Sequence, residues 1–489
     1  MTAAAPSRPP SAVVIGGGLA GTTAALALAD AGMAVTLLEG RPRLGGLAFS
    51  FERQSAAGPL TVDNGQHVYL RCCTAYRWLL ERLGASALAP LQRRLDVPVL
   101  DAESGRLGRL RRAALPVPLH LGPSLGRYPH LTVRERLSVG RAAFALKALD
   151  LADPALDGED FGSWLARHGQ SPRSVEALWD LVGVATLNAT ARDSSLALAA
   201  MVFKTGLLSD PGAADIGIAR VPLGELHDTR ARRELDRAGV RTVLRTRVKA
   251  LRRADDGRWQ VEAAAGPHTG EPLSADAVVL AVPQREAHDL LPDGAVQEPA
   301  RLLDLGTAPI LNIHVVYDRT LLRRPFFAAL GSPVQWVFDR TGTSGLRGGG
   351  QYLALSQSAA HDDIDRPVAE LRARYLPELE RLLPRAREAV VRDFFVTRER
   401  TATFAPAPGT APLRPPARTR LRGLALAGAW TDTGWPATME SAVLSGLSAA
   451  HGILGDLGRR PSPQTQALTR QRPRARSGPP AATTATKAV

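Results

Sequence analysis

In residues 11–39 an apolar run, Ala12-Val13-Val14-Ile15, meets Gly16-Gly17-Gly18-Leu19-Ala20-Gly21; an Ala/Leu-rich segment follows, and Ala34-Val35-Thr36-Leu37-Leu38-Glu39 closes the unit. The pattern is strand, glycine turn, helix, strand. Gly16, Gly18 and Gly21 match the spacing G-x-G-x-x-G, in which the glycines make a tight turn, admit the backbone close to a pyrophosphate and let the helix pack on the strand. The free N–H groups of the helix then face the phosphates. Glu39 ends the second strand, where an acid binds a ribose diol. A glycine turn in an unrelated α/β unit would leave Glu39 unexplained, so the segment reads as a dinucleotide-binding unit.

Outward from this unit, Arg41-Pro42-Arg43-Leu44-Gly45-Gly46 forms a second glycine turn directly after the acid. Asp63-Asn64-Gly65-Gln66-His67 places a polar cluster after an alternating strand, a pattern that also reads as plain hairpin-turn chemistry. Residues 74–223 are mostly helical in pattern, interrupted by a Pro-rich stretch at 116–129, and 177–203 is apolar enough either to line a cavity or to form an ordinary core. Strands are expected at 245–251 and 259–263, joined by Asp255-Asp256-Gly257, and a buried strand at 275–283. Further strands are expected at 310–318 and 335–339, then a helix over 367–383. Near the end, Leu424-Ala425-Leu426-Ala427-Gly428 reads as a strand leading to Asp432, and a helix starts near Thr438. Its small face, Ala442, Gly446 and Ala449, suits close packing against a cofactor.

The chain has 489 residues, enough for two interleaved domains. Its formal net charge is +14, of which Arg459, Arg460, Arg470, Arg472, Arg474, Arg476 and Lys487 supply half. Only four of its 61 basic residues are lysines, a compositional bias that does not point to nucleic acid. A basic body and tail suit an anionic membrane surface equally well. Cys72 and Cys73 are adjacent and match no disulfide framework or zinc spacing. No apolar run is long enough to span a bilayer.

With Glu39-x-Arg41 followed by Gly45-Gly46, and with Gly428, Asp432 and Met439-Glu440-Ser441, the chain resembles the flavin amine oxidase and phytoene desaturase superfamily over nearly all its length. That family usually has an arginine after the two glycines, where this chain has Leu47. Asp63-Asn64-Gly65-Gln66-His67, Leu311-Asn312-Ile313-His314, Gln335-Trp336-Val337-Phe338-Asp339-Arg340 and Trp435-Pro436-Ala437-Thr438-Met439-Glu440 are similar to its squalene-associated branch; Asn188-Ala189-Thr190 departs from the Asn-Thr-Pro often found there.

The resemblance implies an α/β fold: a Rossmann-type FAD-binding domain from 11–73, 224–290 and 415–458, interleaved with an α+β substrate domain, helical cap and mixed sheet, from 74–223 and 291–414. Residues 1–10 and 459–489 are expected to be flexible and disordered. It implies FAD as cofactor, held by Gly16, Gly18, Gly21, Glu39, Arg41, Gly45, Gly46, Gln66, Val248, Gly428, Asp432 and Met439. Its implied reaction is reductive removal of an allylic hydroxyl from the C30 isoprenoid hydroxysqualene, with His67 as candidate acid and Asn188 as a candidate for orienting the hydroxyl. An electron donor, a squalene-synthase-like partner enzyme and a cytoplasmic location with peripheral membrane contact follow from that chemistry. Competing readings are an oxidative isoprenoid desaturase, an amine oxidase, for which no aromatic pair to frame an amine is evident, and a non-enzymatic flavin-binding scaffold.

Overall fold

The computed structural model describes residues 8–267 and 269–470. Most of the expected flexible N-terminus and the tail from 471 onward lie outside these residues. Strand Ser11–Ile15 is central in a five-stranded parallel sheet, flanked by Ala34–Leu38 and then Arg241–Val243 on one side, and by Ala277–Leu280 and then Leu424–Leu426 on the other. All five residues of Ser11–Ile15 are buried, as expected for a parallel strand covered on both faces. Helix Leu19–Asp30 is apolar nearly all round because it lies between this sheet and helix Met439–Asp456. At their crossing a Cβ on Gly446 would overlap the carbonyl oxygen of Ala20. At Gly446 the small face of the C-terminal helix therefore serves close packing against helix Leu19–Asp30.

The second layer is a seven-stranded mixed sheet in the order Val391–Thr403, Ala308–Tyr317, Gln351–Ser358, Trp336–Asp339, Phe326–Leu330, Asp96–Asp101, Leu107–Arg111. Helices between 119 and 207 cover part of it. A three-stranded antiparallel sheet, Arg247–Arg253, Trp259–Ala265 and Leu273–Ala275, adjoins the parallel sheet. The architecture is α/β with parallel and antiparallel sheets, as the sequence implies.

Three segments differ from the expected layout. The stretch 74–223 is not uniformly helical: Asp96–Asp101 and Leu107–Arg111 form a hairpin that extends the mixed sheet, Val99 pairing in parallel with Ala328. A six-residue strand carries too few alternations to stand out among the surrounding Leu, Ala and Arg. Helix Thr74–Arg82 does not open the cap; Ala75, Tyr76, Trp78 and Leu79 share one apolar cluster with Leu26 and Leu37 of the nucleotide-binding unit. Finally, order does not stop at 458. Helix Pro463–Arg470 follows, with Thr465 buried and within hydrogen-bond distance of His451, and Leu468 packed on the same cluster.

Candidate cofactor and active site

The first glycine turn is built by exclusion. Gly16 has φ +105°, a conformation side chains rarely adopt, and a Cβ on Gly21 would overlap the Gly16 carbonyl oxygen. Gly18 differs: its φ is −73°, and an added Cβ would meet only the backbone of Gly46, at 3.6 Å. The two glycine turns touch directly: a Cβ on Gly46 would come within 3.0 Å of Gly18 Cα, and the Gly45 N–H donates to the Gly17 carbonyl at 2.9 Å, so together they present one stretch of bare backbone. This is a cradle that a pyrophosphate fits, at the N-terminus of helix Leu19–Asp30. The Glu39 carboxylate lies at its edge, accepting from the N–H of Gly17 and of Arg41 at 2.6 Å each.

The second turn is held from below. His227 Nδ1 is 3.0 Å from the Ala48 carbonyl and its Nε2 is 2.9 Å from the Tyr76 hydroxyl, while Asp228 accepts from the Leu44 N–H. Burial pushes the His227 pKa down to about 4, so its ring is neutral. The Arg41 side chain is exposed. It is Arg43 that wraps the turn, donating to the carbonyls of Leu44 and Gly46 and lying 3.2 Å above the Phe49 ring centroid. Arg245 and Thr246 donate backbone N–H groups to Arg41 and Glu39, which brings the start of strand Arg247–Arg253 beside this edge. The Val248 side chain itself is buried in the apolar core.

The polar turn at 63–67 is anchored to the rest of the fold through its first two residues. Asp63 is buried and paired with Arg340, and accepts from the Ser50 hydroxyl and the Leu223 N–H. The Asn64 side chain accepts from Phe49 N–H and donates to Leu47 O and Glu399, while its carbonyl accepts from Asn312 and Thr397. Behind Thr397 stands His314, bonded to Tyr352 and pushed down to about pKa 3 by burial. Gln66 and His67 are left half-buried at the end of this anchored turn. Burial lowers the His67 pKa against the opposing pull of the Gly65 carbonyl, 3.2 Å from Nδ1. A histidine lowered from 6.5 is neutral at pH 7, so its candidacy as a standing acid is not supported.

Asn188 has a structural place. It is buried in the left-handed region, and its amide donates to Ala308 O and Thr403 and accepts from Ala359 N–H. Both amide hydrogens are committed to holding the cap on the mixed sheet, which leaves no donor to orient a substrate hydroxyl. The neighbouring apolar stretch divides likewise: Trp179, Met201 and Phe203 are core, with Trp179 and Phe203 edge-to-face at 5.1 Å. Asp180, Leu181 and Val184 line a cavity of about 130 Å³ facing Leu330 and Trp336. Burial raises the Asp180 pKa to about 6.

At the C-terminal side, strand Leu424–Leu426 ends well before Asp432, whose side chain is exposed and whose N–H donates to Pro415 O. The loop between is shaped by the buried Arg414, which donates to the carbonyls of Ala429, Trp430 and Thr431, and by the Ser445 hydroxyl, which accepts from Gly428 N–H. Thr438 caps helix Met439–Asp456, with Met439 half-buried at its first position. Glu440 turns the other way: its buried carboxylate accepts from the N–H groups of Ala75 and Tyr76 and so caps helix Thr74–Arg82. Burial raises its pKa to about 7 despite these bonds. Arg43, His227, Arg340, Arg414 and Glu440 escaped sequence reasoning as site-shaping residues because each acts on a segment far away in the chain.

A nucleotide-binding parallel sheet with a glycine cradle, set against a capped mixed sheet, defines an FAD-dependent oxidoreductase. The chain belongs to the flavin containing amine oxidoreductase family, whose model matches residues 19–454. It is similar to the hydroxysqualene dehydroxylases of Rhodopseudomonas palustris (28% identity over 446 residues, 90% of this chain and 97% of the relative) and Zymomonas mobilis (26%, 89% and 97%). It also resembles 15-cis-phytoene desaturase of Solanum lycopersicum (24%, 92% and 79%). Among solved structures, putrescine oxidase superposes with a TM-score of 0.68 at 19% identity over 92% of this chain and all of that one; cyclohexylamine oxidase from Brevibacterium oxydans gives 0.67, also at 19% and with the same coverage.

Proposed function

We propose that this chain reductively removes the allylic hydroxyl of hydroxysqualene to give squalene. The observation that carries the proposal is the match to hydroxysqualene dehydroxylases along nearly their whole lengths. In this reading the FAD pyrophosphate lies along the joined turns Gly16-Gly18-Gly21 and Gly45-Gly46, the ribose meets Glu39, and Arg41, Gln66, Val248, Gly428, Asp432 and Met439 border the cofactor through backbone or side chain. When bound and reduced, FAD supplies a hydride.

The chain's own residues do the rest. The hydroxyl must take a proton to leave as water, and the allylic cation left behind must be kept dry until its new C–H bond forms. The aromatic cap core and the apolar side of the mixed sheet exclude water. Neutral His67, with its Nδ1–H turned to the Gly65 carbonyl, offers the Nε2 lone pair as a hydrogen-bond acceptor. Asn188 keeps the cap seated on the sheet. An electron donor re-reduces the flavin, a squalene-synthase-like enzyme is a partner, and the insoluble C30 substrate calls for peripheral contact with the cytoplasmic membrane; among the described residues no helix is long and apolar enough to cross it.

A second reading, oxidative desaturation of an isoprenoid, draws on the phytoene desaturase relatives. Anaerobic mixing of dithionite-reduced protein with hydroxysqualene separates the two. Flavin reoxidation with stoichiometric squalene is expected. A flavin that stays reduced, while oxidised protein is bleached by a more saturated isoprenoid, would reverse the direction of hydride flow and sink the proposal.

A further inference from the structure

Helix Val133–Ala148 carries two apolar stripes. One, Val139, Ala142 and Leu146, is buried in the cap core. The other points outward: Val133, Leu137 and Phe144 are 68%, 66% and 57% exposed, and with Gly140 they fall at i, i+4, i+7 and i+11, one face of a helix. Arg136 on the same helix ties residues 126–128 to it by donating to Gly126 O and Tyr128 O. Val133, Leu137 and Phe144 are three of the eleven large apolar side chains exposed among the described residues, and they share one helix face where exposed apolar residues are ordinarily scattered singly.

Its charge is one-sided. Arg134, Arg141 and Lys147 are exposed along the stripe, and none is in an ion pair among the described residues. The helix's one acid, Glu135, is taken up in the capping box with Thr132 and by the Ser171 hydroxyl. An apolar face flanked by free cations is the pattern of a helix lying in the headgroup region of an anionic bilayer.

We propose that this outer face of helix Val133–Ala148 is where the protein docks on an anionic lipid surface. The inference rests on the proposed function only in giving that docking a purpose, delivery of an insoluble substrate to the cap. The full-length FAD-loaded protein is tested by co-sedimentation with phosphatidylcholine vesicles containing about 30% phosphatidylglycerol. Binding is expected, weakening with salt, and Leu137→Asp/Phe144→Asp should reduce the partition coefficient by about tenfold or more. Because both side chains are exposed, the double variant should keep its melting temperature and flavin. Val390→Asp, at an exposed apolar residue on the mixed sheet, is the control and should bind like wild type.

Equal vesicle binding by wild type and double variant overturns the proposal. So does a double variant that binds vesicles normally but loses a self-association that the wild type shows in solution, which would make the stripe a contact between copies. Hydroxysqualene supplied in detergent micelles separates this proposal from the proposed function. A wild type that docks but is inactive in micelles counts against the reaction alone, whereas a variant that has lost vesicle turnover and kept micelle turnover supports both.

Discussion

The glycine cradle makes a sharp distinction between two neighbouring residues. A Cβ on Gly21 strikes backbone, so Gly21→Ala should lower the melting temperature of the protein even without cofactor. A Cβ on Gly18 meets nothing closer than Gly46 at 3.6 Å and suits its φ of −73°. Gly18→Ala should therefore leave the apo melting temperature unchanged while emptying the flavin site, read as visible flavin absorbance after desalting. Glu39→Ala should likewise release flavin; full occupancy after dialysis would show that the ribose is held elsewhere. Asn188→Ala removes three hydrogen bonds and strains a left-handed position, so a loss of roughly 2–4 kcal/mol in unfolding free energy is expected. Turnover by the molecules that remain folded should be nearly normal, and a collapse of kcat at full stability would restore Asn188 as a catalytic residue.

At the scale of elements, Glu440 joins two helices that belong to one nucleotide-binding core although 365 positions separate it from Ala75. Its folded pKa, about 7, lies above the ordinary 4.5. The stability it contributes is present below about pH 4.5 and is lost as pH rises toward 7. In Glu440→Gln an amide N–H group faces backbone donors, so a loss of about 1–3 kcal/mol is expected at low pH. The gap between wild type and variant should narrow between pH 4.5 and 7 in thermal melts, and a constant gap would mean that the carboxyl does not titrate there.

Across the whole molecule, two buried neutral histidines set an opposite trend. His227 underpins the second glycine turn and His314 stands behind the polar turn, with pKa values of about 4 and 3 in place of 6.5. Folded values below the unfolded one mean stability that is complete above pH 6.5 and lost as pH falls through 4. For His227 alone the loss is on the order of 3 kcal/mol. The advantage of wild type over His227→Gln should accordingly shrink from pH 6.5 to 4, together with flavin retention, because the glycine turn sits on this ring.

The strand, turn, helix, strand and acid of residues 11–39 were legible because everything that defines them is contiguous: backbone sterics at Gly16 and Gly21 and a two-strand spacing that brings Glu39 to the cradle. From them follow the parallel sheet and the class of cofactor. What holds the site in shape was not legible. Asp63 meets Arg340 from 277 positions away, and Arg414 shapes the loop that was read from Gly428 and Asp432 alone. The family resemblance implied a chemical role for Asn188, but its donors are spent on Ala308 and Thr403. Helix Val133–Ala148 shows the limit most plainly. Periodicity marks two apolar stripes on it, and only packing decides which one the cap buries and which is left for another surface, because burial depends on neighbours that a local pattern does not contain.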